Sequence, residues 1–547
     1  MLKVVCLFCI LIFGFFQLLF SQVVSERDKL FAGIRPERTC FDVTHYLLKV
    51  KIDPEEKTIQ GSNTISFNIT EPCSRIQLDL YEQLQIDAVT FEGTDCIIER
   101  KYDAFFVSLP RKLSEGEQAK IIVTYHGALI AAKNPPWDGG FVFTKSENGK
   151  PFIGVACEEI GASSWWPTKE LFADKCDSAD LYFEVPSDLQ AISNGQFKGV
   201  EKNGAASVYH WKVTFPINNY NISVTIGDFS HFGKKYRSKK VSYNLDYYIL
   251  PENLKKAKQQ FKQVVPMLKS YQRLFGPYPF SRDGYKLVEA PYLGMEHQSA
   301  VAYGNGYQNG YSGKFFAPVS QKFDFIIIHE TGHEYWGNNV CMSDRSDMWI
   351  HEAFCTYSEL LYVEDVFGKK YADDYAFYWT QVVRNMEPMV NERFSNQEPS
   401  TDIYYKGALL LHTIRNLVAD DAKFIACLKA IQEHFALKTV STKDITDFMI
   451  NYFNRDLSAI FDQYLYNANP PILNFTLTPN KQGEGYVFRY KWDGTVEKFN
   501  LPVTVDVDGA KRTFNVSDDW QETVINKPVV RNLEFDHSKS YYIVKYE

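Results

Sequence analysis

The residues with the most specific chemical spacing lie between positions 329 and 352. His329 and His333 are four residues apart in an HExxH segment, and on a helix they share one face, so both imidazoles can reach one metal ion. Glu330, next to the first histidine, is suited to take a proton from water at that metal. Zinc needs a third protein ligand if a fourth position is to stay open for water, and Glu352 is the candidate.

Glu352 opens a second segment with helical spacing of its apolar residues. Glu359 lies two turns further along the same face, where it can orient a ligand histidine through the second ring nitrogen. His351 is adjacent to Glu352, but successive helical residues point about 100° apart and cannot both face one ion. Glu352 is therefore the predicted ligand, and His351 is not.

Two blocks around these residues resemble a known family. HETGHEYWGN (329–338) and DMWIHEAFCTYSE (347–359) resemble the zinc-binding blocks of the aminopeptidase N and leukotriene hydrolase group of zinc metallopeptidases, the gluzincins. The 18 residues between His333 and Glu352 match the spacing in that group. The resemblance implies one Zn2+ per chain and a short three-domain form of the family.

A third segment, LGMEH (293–297), resembles the GxMEN exopeptidase motif of that group, with Leu in place of the first Gly and His in place of Asn. The resemblance implies that Glu296 binds the free α-amine of a peptide substrate. Gly294 and Met295 are then expected to belong to the substrate-binding edge.

A second amine-binding residue is expected in CEEIG (157–161), which resembles the segment of the β domain that supplies a Gln or Glu in the family. Glu158 is the predicted residue, and the adjacent Glu159 stays an alternative. Two carboxylates at the end of a cleft suit a cationic N-terminus through charge-assisted hydrogen bonds.

The segment IYYKGA (403–408) resembles the YxKG segment of the family, in which a tyrosine hydrogen-bonds to the developing oxyanion. This aligns Tyr404 with that phenol, and the neighbouring Tyr405 stays the alternative. The chemistry implied by all these matches is the hydrolysis of N-terminal residues from peptides by metal-activated water, with Glu330 as the general base and Tyr404 as a second electrophile.

Three other functions remain open at this point. The same zinc site can serve an endopeptidase that cleaves within chains, or an epoxide hydrolase with side peptidase activity. A catalytically silent binding scaffold is the remaining class, but it requires the loss of a ligand or of the base. His329, Glu330, His333 and Glu352 are all present.

The elements that must position these residues change in character along the chain. Residues from about 40 to 235 alternate apolar and polar side chains, as in β-strands. Helical spacing then dominates in four segments: Asp324–Gly337, Glu352–Phe367, Lys406–Val418 and Ala422–His434. With the resemblance, this predicts a multidomain α+β fold: an N-terminal β-sheet domain (23–235), a thermolysin-like, mainly helical catalytic domain (236–466) and a small C-terminal β-sandwich (467–547).

The first 22 residues are expected to be a signal peptide. Lys3 precedes an apolar run from Val4 to Phe16, which is short for a membrane span. This predicts export to a periplasmic, secreted or cell-surface location, with an uncleaved anchor as the alternative. No other stretch reaches about 18 uninterrupted apolar residues, so no membrane span is expected in the mature chain.

The net charge and the C-terminal segment limit the kinds of binding partner that are expected. The 547 residues carry a net charge of −8, which argues against nucleic acid as a partner. In larger members of the family a helical domain follows the small β domain and roofs the cleft, whereas residues 467–547 have the pattern of strands. We therefore expect an open cleft and long peptide substrates with free N-termini, or a dimer whose second subunit supplies the roof.

Overall fold

A computed structural model of the chain describes residues 24–481 and 483–547. A β-sheet domain comes first, a mainly helical domain follows it, and a small pair of sheets closes the described chain. This order confirms the predicted fold class. The expected signal peptide lies outside the described residues.

The first domain is built on a large twisted sheet. Its strand Phe41–Asp53 alternates buried and more exposed side chains, because one face covers the domain core. That strand pairs in parallel with one neighbour and antiparallel with the other. Across the sheet the strands are Gln196–Asn203, Ala206–Val213, Ser178–Pro186, Phe41–Asp53, Thr58–Ile69, Gln118–Ala128, Leu84–Phe91 and Thr94–Asp95.

Two smaller sheets and several short helical elements complete this domain. One sheet has the order Cys73–Asp79, Ala104–Leu113 and Ile97–Lys101, and the other has the order Gln190–Ser193, Val224–Gly227, Pro151–Ala156 and Gly140–Lys145. The helical elements are Glu26–Ala32, Pro36–Thr39, Ala162–Ser164 and Asn219–Asn221.

The helical domain contains a five-stranded sheet that carries the site on its edge. In spatial order the strands are Ser230–Arg237, Ser242–Ile249, Tyr285–Glu289, Val301–Tyr303 and Gly294–Met295. The short strand Gly294–Met295 pairs antiparallel with Val301–Tyr303 and is the edge strand. The division into domains stays a prediction, and its boundary after residue 235 falls inside the first strand of this sheet.

Helices surround this sheet and form the rest of the domain. The first helical stretch breaks at Phe261–Gln263, and Pro266 lies in the first turn of the helix that follows, where a missing N–H costs no helical hydrogen bond. The helices are Leu254–Gln260, Val264–Leu274, Phe325–Gly332, Trp349–Phe367, Lys369–Trp379, Asp402–Val418, Asp421–His434, Thr442–Phe453 and Ser458–Leu465. Two strands, Val340–Met342 and Lys438–Val440, pair in parallel beside them.

The last region is a β-sandwich. Its first sheet has the order Gln521–Ile525, Tyr486–Asp493, Ile472–Pro479 and Ile543–Tyr546, and its second has the order Ala510–Phe514, Val503–Val507 and Leu533–Phe535. Aromatic rings join the two sheets: the ring centroids of Phe475 and Phe535 are 4.8 Å apart. In the described ranges no helix combines the length and the apolar character that a membrane span requires.

Candidate active site

The helix Phe325–Gly332 carries the two histidines and is fixed at its start by Asp324. This N-cap carboxylate accepts hydrogen bonds from the backbone N–H groups of Ile326 and Ile327, which otherwise lack helical partners. The apolar residues that follow are buried, which anchors the helix against the sheet. The helix ends five residues earlier than the sequence predicts, because the chain turns after Gly332 and reaches a φ of 133° at Gly337.

Three donor atoms converge at one buried point. The Nε2 atoms of His329 and His333 are 3.2 Å apart, and Oε2 of Glu352 lies 3.5 Å from the first and 3.6 Å from the second. Within the described residues this carboxylate oxygen is buried and has no hydrogen-bond partner. Two imidazole nitrogens and a carboxylate oxygen that face each other without donors between them fit a divalent zinc ion.

The outer nitrogens of both histidines are engaged in hydrogen bonds. His329 Nδ1 donates to Oε1 of Glu359 at 2.7 Å, and the hydroxyl of Tyr375 donates to Oε2 of that carboxylate at 2.6 Å. His333 Nδ1 donates to the backbone carbonyl of Trp336 at 3.0 Å. These contacts leave both Nε2 atoms free for a metal and fix the planes of the rings.

Two neighbours of Glu352 have other partners. The imidazole of His351 accepts a hydrogen bond at Nε2 from the backbone N–H of Met342 at 2.7 Å, so it faces away from the three converging donors. Cys355 lies one turn further along the helix, and its thiol donates to the backbone carbonyl of His329 at 2.8 Å. Cys355 is not among the residues predicted from the sequence, and this hydrogen bond links its helix to the helix that carries the histidines.

Glu330 is a buried carboxylate beside the metal donors. Burial raises its pKa to about 7, although the nearby His329 and His333 act in the opposite direction. Its Oε1 atom lies against Gly294 so closely that a Cβ at that position would be 2.7 Å away. A glycine is therefore required for the edge strand to pass beside the predicted base.

The carboxylates predicted to bind an amine lie next to each other. Glu296 is 3% exposed, and an oxygen of Glu296, an oxygen of Glu158 and a nitrogen of His351 lie within 4.8 Å of one another. Burial, followed by the charge of Glu296, raises the pKa of Glu158 well above its usual range. A cationic ligand would stabilise the charged forms of two adjacent buried carboxylates.

Glu159, the alternative to Glu158, has a different partner. Its carboxylate forms an ion pair with Arg345, whose guanidinium also donates to the backbone carbonyl of Glu159 at 2.9 Å. The choice between the two glutamates stays a prediction, but the ion pair of Glu159 with Arg345 favours Glu158 as the residue that binds an amine beside Glu296.

Both candidate tyrosines line the same cavity as the metal donors. The ring of Tyr404 stacks on His329 with centroids 6.2 Å apart, and burial followed by the charges of Glu352 and Glu158 raises its pKa well above the usual range. The ring of Tyr405 is directed to Trp379, with centroids 6.4 Å apart. The choice between the two tyrosines stays a prediction, and the stacking of its ring on His329 favours Tyr404.

One cavity of about 540 Å³ joins these groups. All of the predicted site residues, including Gly294 and Met295, line it together with side chains from the first domain. Three further residues hydrogen-bond to carboxylates of the site and were not predicted from the sequence: Tyr220, Tyr375 and Arg345. No spacing pattern marks them, because they come from separate parts of the chain.

Comparisons with known proteins identify the family of the chain. The family model described as the peptidase M1 N-terminal domain matches residues 43–220, and the model described as the peptidase family M1 domain matches residues 259–464. The fold and the site are those of a metallopeptidase scaffold with two histidines and one glutamate as candidate metal ligands. The chain belongs to the peptidase M1 family.

Similar proteins include aminopeptidase B from Rattus norvegicus, 22% identical over 76% of this chain and 66% of that protein, just under two thirds of its length. Leukotriene A-4 hydrolase from Xenopus laevis is also 22% identical, over 78% of this chain and 70% of that protein. A solved structure of a mutant M1 zinc metallopeptidase from Deinococcus radiodurans, bound to a Tyr-Ser-Ala substrate, has a TM-score of 0.66 at 21% identity. The match covers 80% of this chain and 97% of the chain in that structure.

Proposed function

We propose that the protein is a zinc aminopeptidase that removes N-terminal residues from peptides. The observation that carries the proposal is the position of Glu296 and Glu158 in the same cavity as the three metal donors. Carboxylates that bind a free α-amine at this end fix the substrate so that its first peptide bond lies at the metal. The names of the similar proteins, among them aminopeptidase B, support this choice.

Each step of the proposed hydrolysis is assigned to particular residues of the chain. His329, His333 and Glu352 would hold a zinc ion, which would act as a Lewis acid for the carbonyl and lower the pKa of water. Glu330 accepts the proton of the attacking water and can return it to the leaving amine. The phenol of Tyr404 donates a hydrogen bond to the oxygen that becomes negative in the transition state.

The experiment that tests this function compares aminoacyl arylamides that have a free amine with the same compounds N-acetylated. We expect cleavage of the free forms only, loss of activity with a chelator, and recovery when zinc is added back. Equal cleavage of both forms would identify an endopeptidase, and turnover of an epoxide alone would identify an epoxide hydrolase. A zinc-loaded protein without any turnover would support the binding scaffold.

We also propose that the protein is exported. The basic residue Lys3 and the apolar run that follows it support this location, although they lie outside the described residues. Expression of the full chain, followed by fractionation and N-terminal sequencing, tests the proposal. A new N-terminus near residue 23 is expected, whereas an intact N-terminus in the membrane fraction would identify an uncleaved anchor, and an intact N-terminus in the cytosol would contradict export.

A further inference from the structure

A short turn of the first domain, Asn219–Asn221, reaches the amine end of the cavity. Tyr220 in this turn is fully buried, and its hydroxyl donates to Oε1 of Glu296 at 3.2 Å. Its ring packs edge-on against Phe172, with centroids 6.0 Å apart. Across residues 24–481 and 483–547, no second side chain hydrogen-bonds to the carboxylate of Glu296.

The turn is bound to the helical domain through Asn221, the residue that follows Tyr220. Asn221 donates from Nδ2 to Oδ1 of Asn338 at 2.9 Å and accepts at Oδ1 from the backbone N–H of Gln298 at 2.7 Å. Asn338 in turn donates from Nδ2 to the backbone carbonyl of Glu296 at 2.8 Å. The turn thus contacts the carboxylate of Glu296 directly through Tyr220, and it contacts the backbone of Glu296 indirectly through Asn221 and Asn338.

Negative charges on Glu296 and Glu158 repel each other, and this repulsion contributes to the raised pKa of Glu158. A hydroxyl on one oxygen of Glu296 offsets this repulsion and leaves the remaining lone pairs for the N–H groups of an ammonium. Burial, followed by the charges of these two carboxylates, raises the pKa of Tyr220 well above its usual range. The phenol therefore stays a neutral donor.

We propose that Tyr220 is a positioning residue that holds the Glu296 carboxylate in the orientation that binds the substrate α-amine. The inference rests on the proposed aminopeptidase function. It also assigns the first domain a direct part in setting where the peptide is cut, because the hydroxyl comes from that domain and the carboxylate from the other.

The test replaces the hydroxyl alone, in the variant Tyr220→Phe, which keeps the ring packing. We expect KM for free-amine arylamides to rise at least about tenfold with a smaller change in kcat, because a charge-assisted hydrogen bond in the ground state is lost. Tyr125→Phe is the matched control, since Tyr125 is equally buried in the same domain and donates to the backbone carbonyl of Trp165 at 3.0 Å. Thermal unfolding of both variants checks that they are folded.

A double-variant cycle separates positioning from a general effect on the fold. In a Glu296→Gln background, Tyr220→Phe should add less than about twofold to KM, because the carboxylate that it orients is gone. Asn221→Ala, which loosens the turn but keeps the hydroxyl, should raise KM in the same direction as Tyr220→Phe. Equal KM values for Tyr220→Phe and Tyr125→Phe in an active enzyme would overturn the inference alone, whereas an inactive wild type would overturn the proposed function with it.

Discussion

The proposed role of Glu330 as a general base can be tested without removing a metal ligand. Its carboxylate is buried beside the metal donors but is not one of the three atoms that converge. Glu330→Gln keeps the shape and the metal ligands and removes the base. We expect turnover to fall by about 10²–10⁴, which is the usual contribution of a general base. Rates are measured on protein with confirmed zinc content, and near-normal turnover would show that another group takes the proton.

Tyr404 and Tyr405 form a matched pair for testing the second electrophile. A phenol that acts on charge present only in the transition state contributes to kcat and not to KM. Tyr404→Phe should therefore lower kcat by about 10²–10³, while Tyr405→Phe, whose ring faces Trp379, should change it little. Steady-state kinetics of both variants decide the matter, and the reverse result would assign the role to Tyr405.

Helical spacing indicated the predicted metal ligands and Glu359, whereas Glu296, Glu158 and Tyr404 were predicted only from the resemblance to a family. His329 and His333 recur every four residues, and Glu352 and Glu359 lie on one face of the next helix, so a periodic pattern reveals them. Tyr220 and Arg345 could not be predicted, because each approaches its carboxylate through the packing of segments that are far apart in sequence. The spacing of residues along the sequence indicates the face of a single helix or strand, but it does not indicate which helices and strands pack against each other.

At the scale of elements, two packed helices bring Tyr404 to the metal site. The helix Asp402–Val418 lies against the helix Trp349–Phe367 so closely that a Cβ on Gly407 would be 2.5 Å from Cβ of Ala353. This contact is three residues after Tyr404 and one after Glu352. The separation of the two helices at this point therefore sets how the phenol faces the ligand.

Gly407→Ala should force these helices apart. We expect a loss of about 1–3 kcal/mol in the free energy of unfolding from overpacking, together with a fall in kcat. Ala353→Gly in the same chain removes the opposing methyl group and should restore part of both quantities. Denaturant unfolding and kinetics on the single and double variants measure this, and a Gly407→Ala protein with normal stability and kcat would contradict the tight contact.

Element types were easier to predict than element ends. The predicted helices Glu352–Phe367, Lys406–Val418 and Ala422–His434 correspond to Trp349–Phe367, Asp402–Val418 and Asp421–His434. The edge strand Gly294–Met295 has only two residues, too few for any alternation to appear. It exists because it pairs with Val301–Tyr303, which is a tertiary effect.

At the scale of the whole molecule, the cavity opens between the first domain and the loop that follows the helix Lys369–Trp379. Trp137 on one side and Val382 on the other both line it and are 54% and 45% exposed. Phe316 is a third exposed apolar side chain at this rim. Exposed apolar side chains next to a binding cavity commonly mark a surface that a ligand covers.

Such a rim should bind the part of a peptide beyond the cleaved bond, while Glu296 and Glu158 fix its first residue. We therefore expect kcat/KM to change less than about tenfold, or about 1.4 kcal/mol, from tripeptides to chains well beyond ten residues that share one N-terminal sequence. Trp137→Ala should raise KM for the long peptides and leave KM for aminoacyl arylamides unchanged, because only the long peptides reach the rim. A steep fall of kcat/KM with length in a protein shown to be monomeric would mean that the rim closes against long chains, whereas the same fall in a dimer would indicate that the second subunit covers it.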